Sequence, residues 1–227
     1  MASFLSAKEV GADAIEFDVH MTEDGRLVVV HDYDLSRTTS GTGLVHHHDL
    51  DYVRALSAGR WFADEFESEK VPLLEEVLDL DGVKFELEVK GLPTPLLISG
   101  IADAISNANV ADKIEITGFH YVALQHLQRL CPDARFGLFP KEFEPWMSYQ
   151  LYEEILIDTA LTGGFDVVHI PAQNLGRFDA EHFHDAGLLL HASDPTSDAE
   201  YVDALDHCDQ LSTNDPRTAI EMRSRYV

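Results

Sequence analysis

The sequence predicts an α/β chain of the (β/α)8 barrel type, short of its first strand and carrying an inserted segment after its second. Three observations predict it. Short strand-like segments alternate with helical patterns to the end of the chain, the signature of a parallel sheet covered by helices. Acidic and polar residues recur at the ends of the strand segments, and a (β/α)8 barrel builds its active site at the C-terminal ends of its strands. The 227 residues, 45% of them hydrophobic, suit one domain with a real core, taken as residues 1–227 with an insertion at about 34–69.

The elements follow in order. Residues 1–9 read as the middle of an amphipathic helix; without a basic start or a sustained apolar run they do not read as a signal peptide. Strands are expected at Ala14–Val19, Leu27–His31, Lys84–Val89, Ile114–Phe119, Arg135–Phe139, Val167–Pro171, Leu188–His191 and Gln210–Thr213. Thr22-Glu23-Asp24-Gly25 is too short for a crossover helix and reads as a tight turn. Leu27–His31 therefore pairs antiparallel with its predecessor or rides above the barrel. The other seven strands fall one short of a closed barrel, which places the missing strand before Met1.

Helices are expected over Val71–Leu78, with Pro72 near its entry, and over Pro95–Ala108, Val122–Leu130, Tyr149–Thr162, Asp179–Ala186, Asp198–Leu205 and Pro216–Tyr226. Within the insertion, Asp49 can cap a short helix reaching Leu56. With the first strand absent, Ala14–Val19 and Gln210–Thr213 would be unpaired edges, which favour association with another chain; a homo-oligomer is the expectation.

Composition excludes several classes. A formal charge of −25, from 41 acidic against 16 basic residues, repels nucleic acid and anionic membranes. Lysine supplies only six of the sixteen cations, and a chain this acidic points to the cytoplasm of a salt-adapted organism, where ions screen self-repulsion. No apolar run is long enough for a membrane span. Cys131 and Cys208 have no metal-type spacing and read as reduced, packed thiols.

The chemistry concentrates in two strands. Glu16 and Asp18 lie at i and i+2, so their side chains share a face. Two carboxylates in a partly open site suit one divalent cation, Mg²⁺ or Ca²⁺; a solvated strand face is the alternative. Glu88 and Lys90 share a face at the end of a later strand. There a carboxylate completes a metal site and an ammonium holds a phosphate oxygen, or the two form a local salt bridge. Glu86, nearer the strand start, reads as structural. His31 ends its strand before Asp32 and can act as a general acid or base near neutral pH, or be a surface histidine. His20 is assigned to the face opposite Asp18 and to a structural role. His46-His47-His48 reads as a solvated stretch, since three neighbouring histidines converge poorly on one ion.

These segments together resemble the glycerophosphodiester phosphodiesterase family. The resemblance rests on Gly11-Ala12-Asp13 with Glu16-x-Asp18, Thr22-x-Asp24-Gly25, His31-Asp32, Arg37-Thr38-Thr39 with Gly41 and Gly43, the run from Val71 to Leu78, Glu88-x-Lys90 and Thr213-Asn214-Asp215-Pro216. It implies a barrel hydrolase in which Glu16, Asp18 and Glu88 bind the metal, His31 is one of two catalytic histidines and Lys90 contacts the phosphate of a small glycerophosphodiester. The family's His-Arg-Gly and Glu-Asn-Thr motifs would precede Met1, and with them the second histidine and an arginine. The expected activity is metal-dependent hydrolysis to sn-glycerol 3-phosphate and an alcohol. The alternatives are a degenerate barrel that binds without turnover and a lysophospholipase D-like enzyme.

Overall fold

The computed structural model describes residues 1–141 and 143–226. They form two compact units, residues 1–9 with 13–134 and residues 10–12 with those described from 135 to 226.

The first unit begins with α1 (Ala2–Val10), the helix expected at the start. Its sheet holds β1 (Ala14–Met21), β2 (Leu27–Val29), β3 (Lys84–Val89) and β4 (Ile114–Thr117) in the order β2-β1-β3-β4. β1, β3 and β4 run parallel, while β2 returns antiparallel onto the end of β1, pairing Val19–Met21 with Leu27–Val29. The turn between them closes as its sequence requires. The Gly25 amide donates to the Thr22 carbonyl at 3.0 Å, the Thr22 hydroxyl donates to Asp24 at 2.6 Å, and Gly25 takes the positive φ, 80°, that glycine adopts without steric cost. β1 is therefore not an open edge along its whole length, since β2 covers its last three residues.

Four expected strands stop short: Arg135–Phe139 and Gln210–Thr213, in the second unit, by one residue each, and β2 and β4 of this unit by two. β2 ends at Val29 rather than His31, because the Val29 amide is taken by the Pro72 carbonyl at 2.8 Å and that of Val30 by the Asp18 carbonyl at 3.1 Å. β4 ends at Thr117 rather than Phe119. Gly118 has φ 150°, and a side chain there would meet the Val89 carbonyl at 3.1 Å.

Parallel pairing fixes which side chains become neighbours. Glu16 stands beside Glu86, Asp18 beside Glu88, and Glu86 in turn beside Glu115. These residues alternate along the strands with Ile15, Phe17, Val19, Phe85, Leu87, Val89, Ile114 and Ile116, all buried. The apolar set forms the core, with the Phe17 ring edge-on to Phe4 and Phe85 at 6.2 Å each; the opposite face of the strands carries the carboxylates.

The inserted segment packs its Leu35, Val45, Val53 and Leu56 against Val28, Val30 and Val71, which flank it in the chain. Its helix α2 (Leu50–Ala55) is capped by Asp49, which accepts from the Tyr52 amide at 2.9 Å. Replacing Asp49 by Ala is expected to cost about 1 kcal/mol in a urea unfolding titration, the usual loss of an N-cap. Arg54, from the same helix, donates two bonds to Glu76, at 2.6 and 2.8 Å, and a third to the Val71 carbonyl. Glu76 belongs to α3 (Leu74–Leu78) and also accepts from the Leu73 amide. That helix begins two residues beyond Pro72. Of the three neighbouring histidines, His48 is half-buried: its ring stacks on Tyr52 at 4.1 Å and its Nε2 donates to the Thr42 carbonyl. The unit closes with α4 (Pro95–Ala108), capped by Thr94, and α5 (Tyr121–Leu130).

In the second unit β5 (Arg135–Leu138), β6 (Val167–Pro171), β7 (Leu189–Ser193) and β8 (Gln210–Ser212) pair in chain order, all parallel. They alternate with α6 (Tyr149–Gly163), α7 (Ala180–Asp185) and α8 (Asp198–His207), and α9 (Pro216–Tyr226) follows. Ser148, Asp179 and Ser197 cap the first three of these helices. Among the described residues, no helix is long and apolar enough to cross a membrane.

Candidate active site

The site lies in the first unit, at the ends of β1 and β3 and in the bend after β2. The register that pairs Asp18 with Glu88 brings Glu16, Asp18 and Glu88 to one point, each offering a carboxylate oxygen within 4.8 Å of the other two. Asp18 and Glu88 are buried and Glu16 is exposed. Lys90 stands over them, with Nζ 2.8 Å from Glu88 Oε1 and 3.4 Å from Asp18 Oδ1. These are ion-pair contacts without hydrogen-bond alignment: both buried oxygens lack a directed donor.

One ammonium does not balance three carboxylates. Burial pushes the Glu88 carboxyl above its usual value; the close ammonium of Lys90 pulls it back, and Asp18 adds repulsion. Burial also works against the Lys90 charge, but Glu88 and Asp18 outweigh it and raise its pKa. Buried carboxylate oxygens without aligned donors, and more negative charge than the local cation neutralises, fit a divalent cation held by oxygens. Behind them Glu86 is buried, and its pKa lies well above the usual value because of that burial and the neighbouring Glu115 and Glu16.

A cavity of about 380 Å³ opens beside this cluster, lined by Glu88, Lys90, His31, Asp32, Tyr33, Val89, Phe119 and His120. The His31 side chain is 59% exposed, and its Nδ1 lies 2.7 Å from Asp32 Oδ1. A carboxylate only accepts, so Nδ1 is the donor and the neutral ring keeps a lone pair on Nε2. Arg37 holds Asp32 from the other side, with Nε at 2.5 Å from Oδ2 and Nη2 at 2.8 Å from Oδ1. That pair of bonds, followed by the one from His31, keeps the Asp32 carboxyl well below the usual carboxylate range.

A carboxylate whose folded pKa is depressed contributes stability above its unfolded pKa of about 3.9, which is lost as pH falls through the folded value. Replacing Arg37 by Ala is therefore expected to start acid unfolding at a higher pH than in the parent, followed by circular dichroism during acid titration.

The structure brings together all five residues singled out in the sequence: Glu16, Asp18 and Glu88 at one point, Lys90 over them, and His31 on the adjoining cavity wall. His20 requires a correction. At two residues from Asp18 it shares that residue's face, as strand alternation demands. It is buried, and burial pushes its imidazole below the ordinary value, while its bond to His31 and the charge of Asp18 oppose the shift. Sequence reasoning also passed over Tyr33, Phe119 and His120 as cavity walls and Arg37 as the partner of Asp32. Phe119 and His120 follow directly on a parallel strand, where such a fold carries its site residues, so that signal was present.

In the second unit His169 and His191 are register partners, with rings stacked at 4.1 Å, and burial holds His191 well below its ordinary pKa. A larger cleft there, of about 670 Å³, is lined by Asp198, Glu200, Asp203, Asp206 and Tyr226 among others.

Comparison with known proteins follows the same lines. A family described as the glycerophosphoryl diester phosphodiesterase family matches residues 1–137. A glycerophosphodiester phosphodiesterase of Caldanaerobacter subterraneus subsp. tengcongensis is 36% identical over 153 residues, covering 64% of this chain and 63% of that protein. One from Bacillus altitudinis is 33% identical over 138 residues, covering 58% of this chain and 56% of that protein. The chain thus spans less than two thirds of the length of these relatives.

Among solved structures, a glycerophosphodiester phosphodiesterase of Agrobacterium tumefaciens superposes with a TM-score of 0.81 at 23% identity, covering 97% of this chain and 90% of that one. An Oleispira antarctica phosphodiesterase in complex with its product sn-glycerol-3-phosphate superposes with a TM-score of 0.82 at 22% identity, covering 98% of this chain and 89% of that one. These matches establish an α/β fold of the TIM-barrel class, the class read from the alternation of strands and helices.

Proposed function

Since the chain belongs to the glycerophosphoryl diester phosphodiesterase family, we propose that it serves, as a single domain, the metal-dependent hydrolysis of small glycerophosphodiesters to sn-glycerol 3-phosphate and an alcohol. The observation that carries this reading is the convergence of Glu16, Asp18 and Glu88 within 4.8 Å beside a cavity that also presents Lys90 and His31. The product named for the Oleispira phosphodiesterase supports the choice of substrate.

Glu16, Asp18 and Glu88 would hold one Mg²⁺ or Ca²⁺, all-oxygen ligation being what both ions prefer. The ion, when bound, supplies positive charge for the phosphate oxygens. Lys90 adds its own charge to the same oxygens and so favours the more highly charged transition state. His31, one of the two catalytic histidines that the family resemblance implies, exchanges a proton with the reacting oxygen through Nε2, its ring held by Asp32 at Nδ1. Asp32 in turn stays ionised through Arg37, which keeps that ring orientation available across the working pH range.

The test is release of sn-glycerol 3-phosphate from glycerophosphocholine and glycerophosphoethanolamine by the purified chain, with Mg²⁺, with Ca²⁺ and with a chelator. Product formation abolished by the chelator is the expected result. Calorimetric binding of the ion with no product from either diester would sink the hydrolase reading and leave a binding domain. Faster turnover of lysophosphatidylcholine than of the water-soluble diesters would reassign the substrate to lysophospholipids. The acidic composition supports a salt-rich cytoplasm as the working environment, so activity is to be measured across a potassium chloride series.

A further inference from the structure

We infer that His20 is a positioning residue for His31: its ring tethers the main chain of the bend that presents His31 and Tyr33 to the cavity. This rests on the reading of His31 as the proton-transfer group. His20 is 2% exposed and does not line the cavity, so it acts through other residues and does not touch substrate.

Among the described residues, three hydrogen bonds tie the main chain of the bend to its surroundings. Where the chain leaves β2, the Val30 amide donates to the Asp18 carbonyl at 3.1 Å. Three residues on, the Tyr33 carbonyl accepts from the Val45 amide at 2.9 Å. Between them the His31 carbonyl accepts from His20 Nε2 at 3.3 Å. A carbonyl offers only lone pairs, so this nitrogen carries the proton. The same ring supports Tyr33 from beneath, edge to face, with centroids 4.9 Å apart and planes at 83°. One buried side chain thus holds the backbone of the proton-transfer residue and the ring of a cavity wall.

The tether runs from β1, the strand that carries Glu16 and Asp18, to the bend that carries His31. It fixes the distance between carboxylate cluster and imidazole independently of the bond from His31 to Asp32, which orients the ring but belongs to the bend itself. A displacement of about 1 Å at a reacting group costs on the order of 10²-fold in rate.

The experiment compares His20→Phe, which keeps a ring of similar size but offers no donor, with His20→Gln, which keeps a side-chain N–H. His20→Met is the second donor-free variant should the first not fold. In H20F, kcat for glycerophosphocholine is expected to fall on the order of 10²-fold with KM and divalent-ion affinity unchanged, and H20Q is expected to recover most of the loss. Amide hydrogen exchange over residues 30–34 should quicken in H20F and return towards the parent in H20Q, with residues 84–90 unaffected in both.

A folded H20F with parental kcat overturns the inference. So does an equal loss in H20F and H20Q, because ring packing rather than the N–H would then be responsible. Should the unsubstituted chain turn over no diester, the functional reading fails on that result alone. The exchange comparison still decides the tether: quickening in H20F reversed in H20Q upholds it, and equal exchange in all three proteins overturns it.

Discussion

Replacing Glu88 by Gln is expected to weaken divalent-ion binding at least about 100-fold and to remove diester hydrolysis at ordinary ion concentrations. Even partners outside the ligand set typically cost 10–100-fold in metal affinity, and Glu88 would be a ligand, buried beside Asp18. A stability measurement separates this loss from misfolding. The Glu88 carboxyl has a raised pKa in the fold, so its contribution is fully present below the unfolded pKa and is lost as pH rises through the folded value. Because burial outweighs the attraction of Lys90, ionising Glu88 costs stability in the fold, a cost its neutral isostere does not carry. In chelator, E88Q should therefore unfold at a temperature no lower than the parent. On adding Mg²⁺ or Ca²⁺, the parent should gain stability by mass action and E88Q should not. A parental gain in E88Q would remove Glu88 from the ligand set.

The second large effect is expected for His31→Ala, a fall in kcat of about 10²–10⁴-fold, the usual contribution of a positioned acid or base. His31 is largely exposed and packs into no core, so the variant should keep its melting temperature and its affinity for the ion. Steady-state kinetics with parallel calorimetry provides the check. Full retention of kcat would exclude His31 from proton transfer. A loss confined to KM would make it a binding group.

Much of this was readable in the residues, for identifiable reasons. β3, β6, α4 and α9 begin and end where the sequence places them, since Pro95 and Pro216 mark helix starts and alternating apolar residues mark the strands. Asp49 was legible as a cap because capping needs only a short acceptor at one position. What stayed hidden depends on three-dimensional neighbours. The early end of β2 is set by the Pro72 carbonyl, more than forty positions away. The carboxylate cluster was visible as two separate strand pairs, but its convergence depends on the register of β1 against β3, which no local pattern specifies. His20 was misplaced for a simpler reason: the alternation that puts Glu16 and Asp18 on one face was not carried two residues further. Tyr33 and Phe119 are cavity walls only because of where a bend and a strand end bring them.

The local core that the inserted segment shares with its flanking residues has an evolutionary consequence. Val28 in β2, Val30 just after it and Val71 beyond the segment anchor it, while Leu35, Val45, Val53 and Leu56 complete it from within. The stretch therefore carries most of what it needs to hold its own shape, and drift within it is buffered from the strands that bear Glu16, Asp18 and Glu88. Change can accumulate at the cavity's rim, through Tyr33 and the residues behind it, while the cluster of Glu16, Asp18 and Glu88 stays as it is.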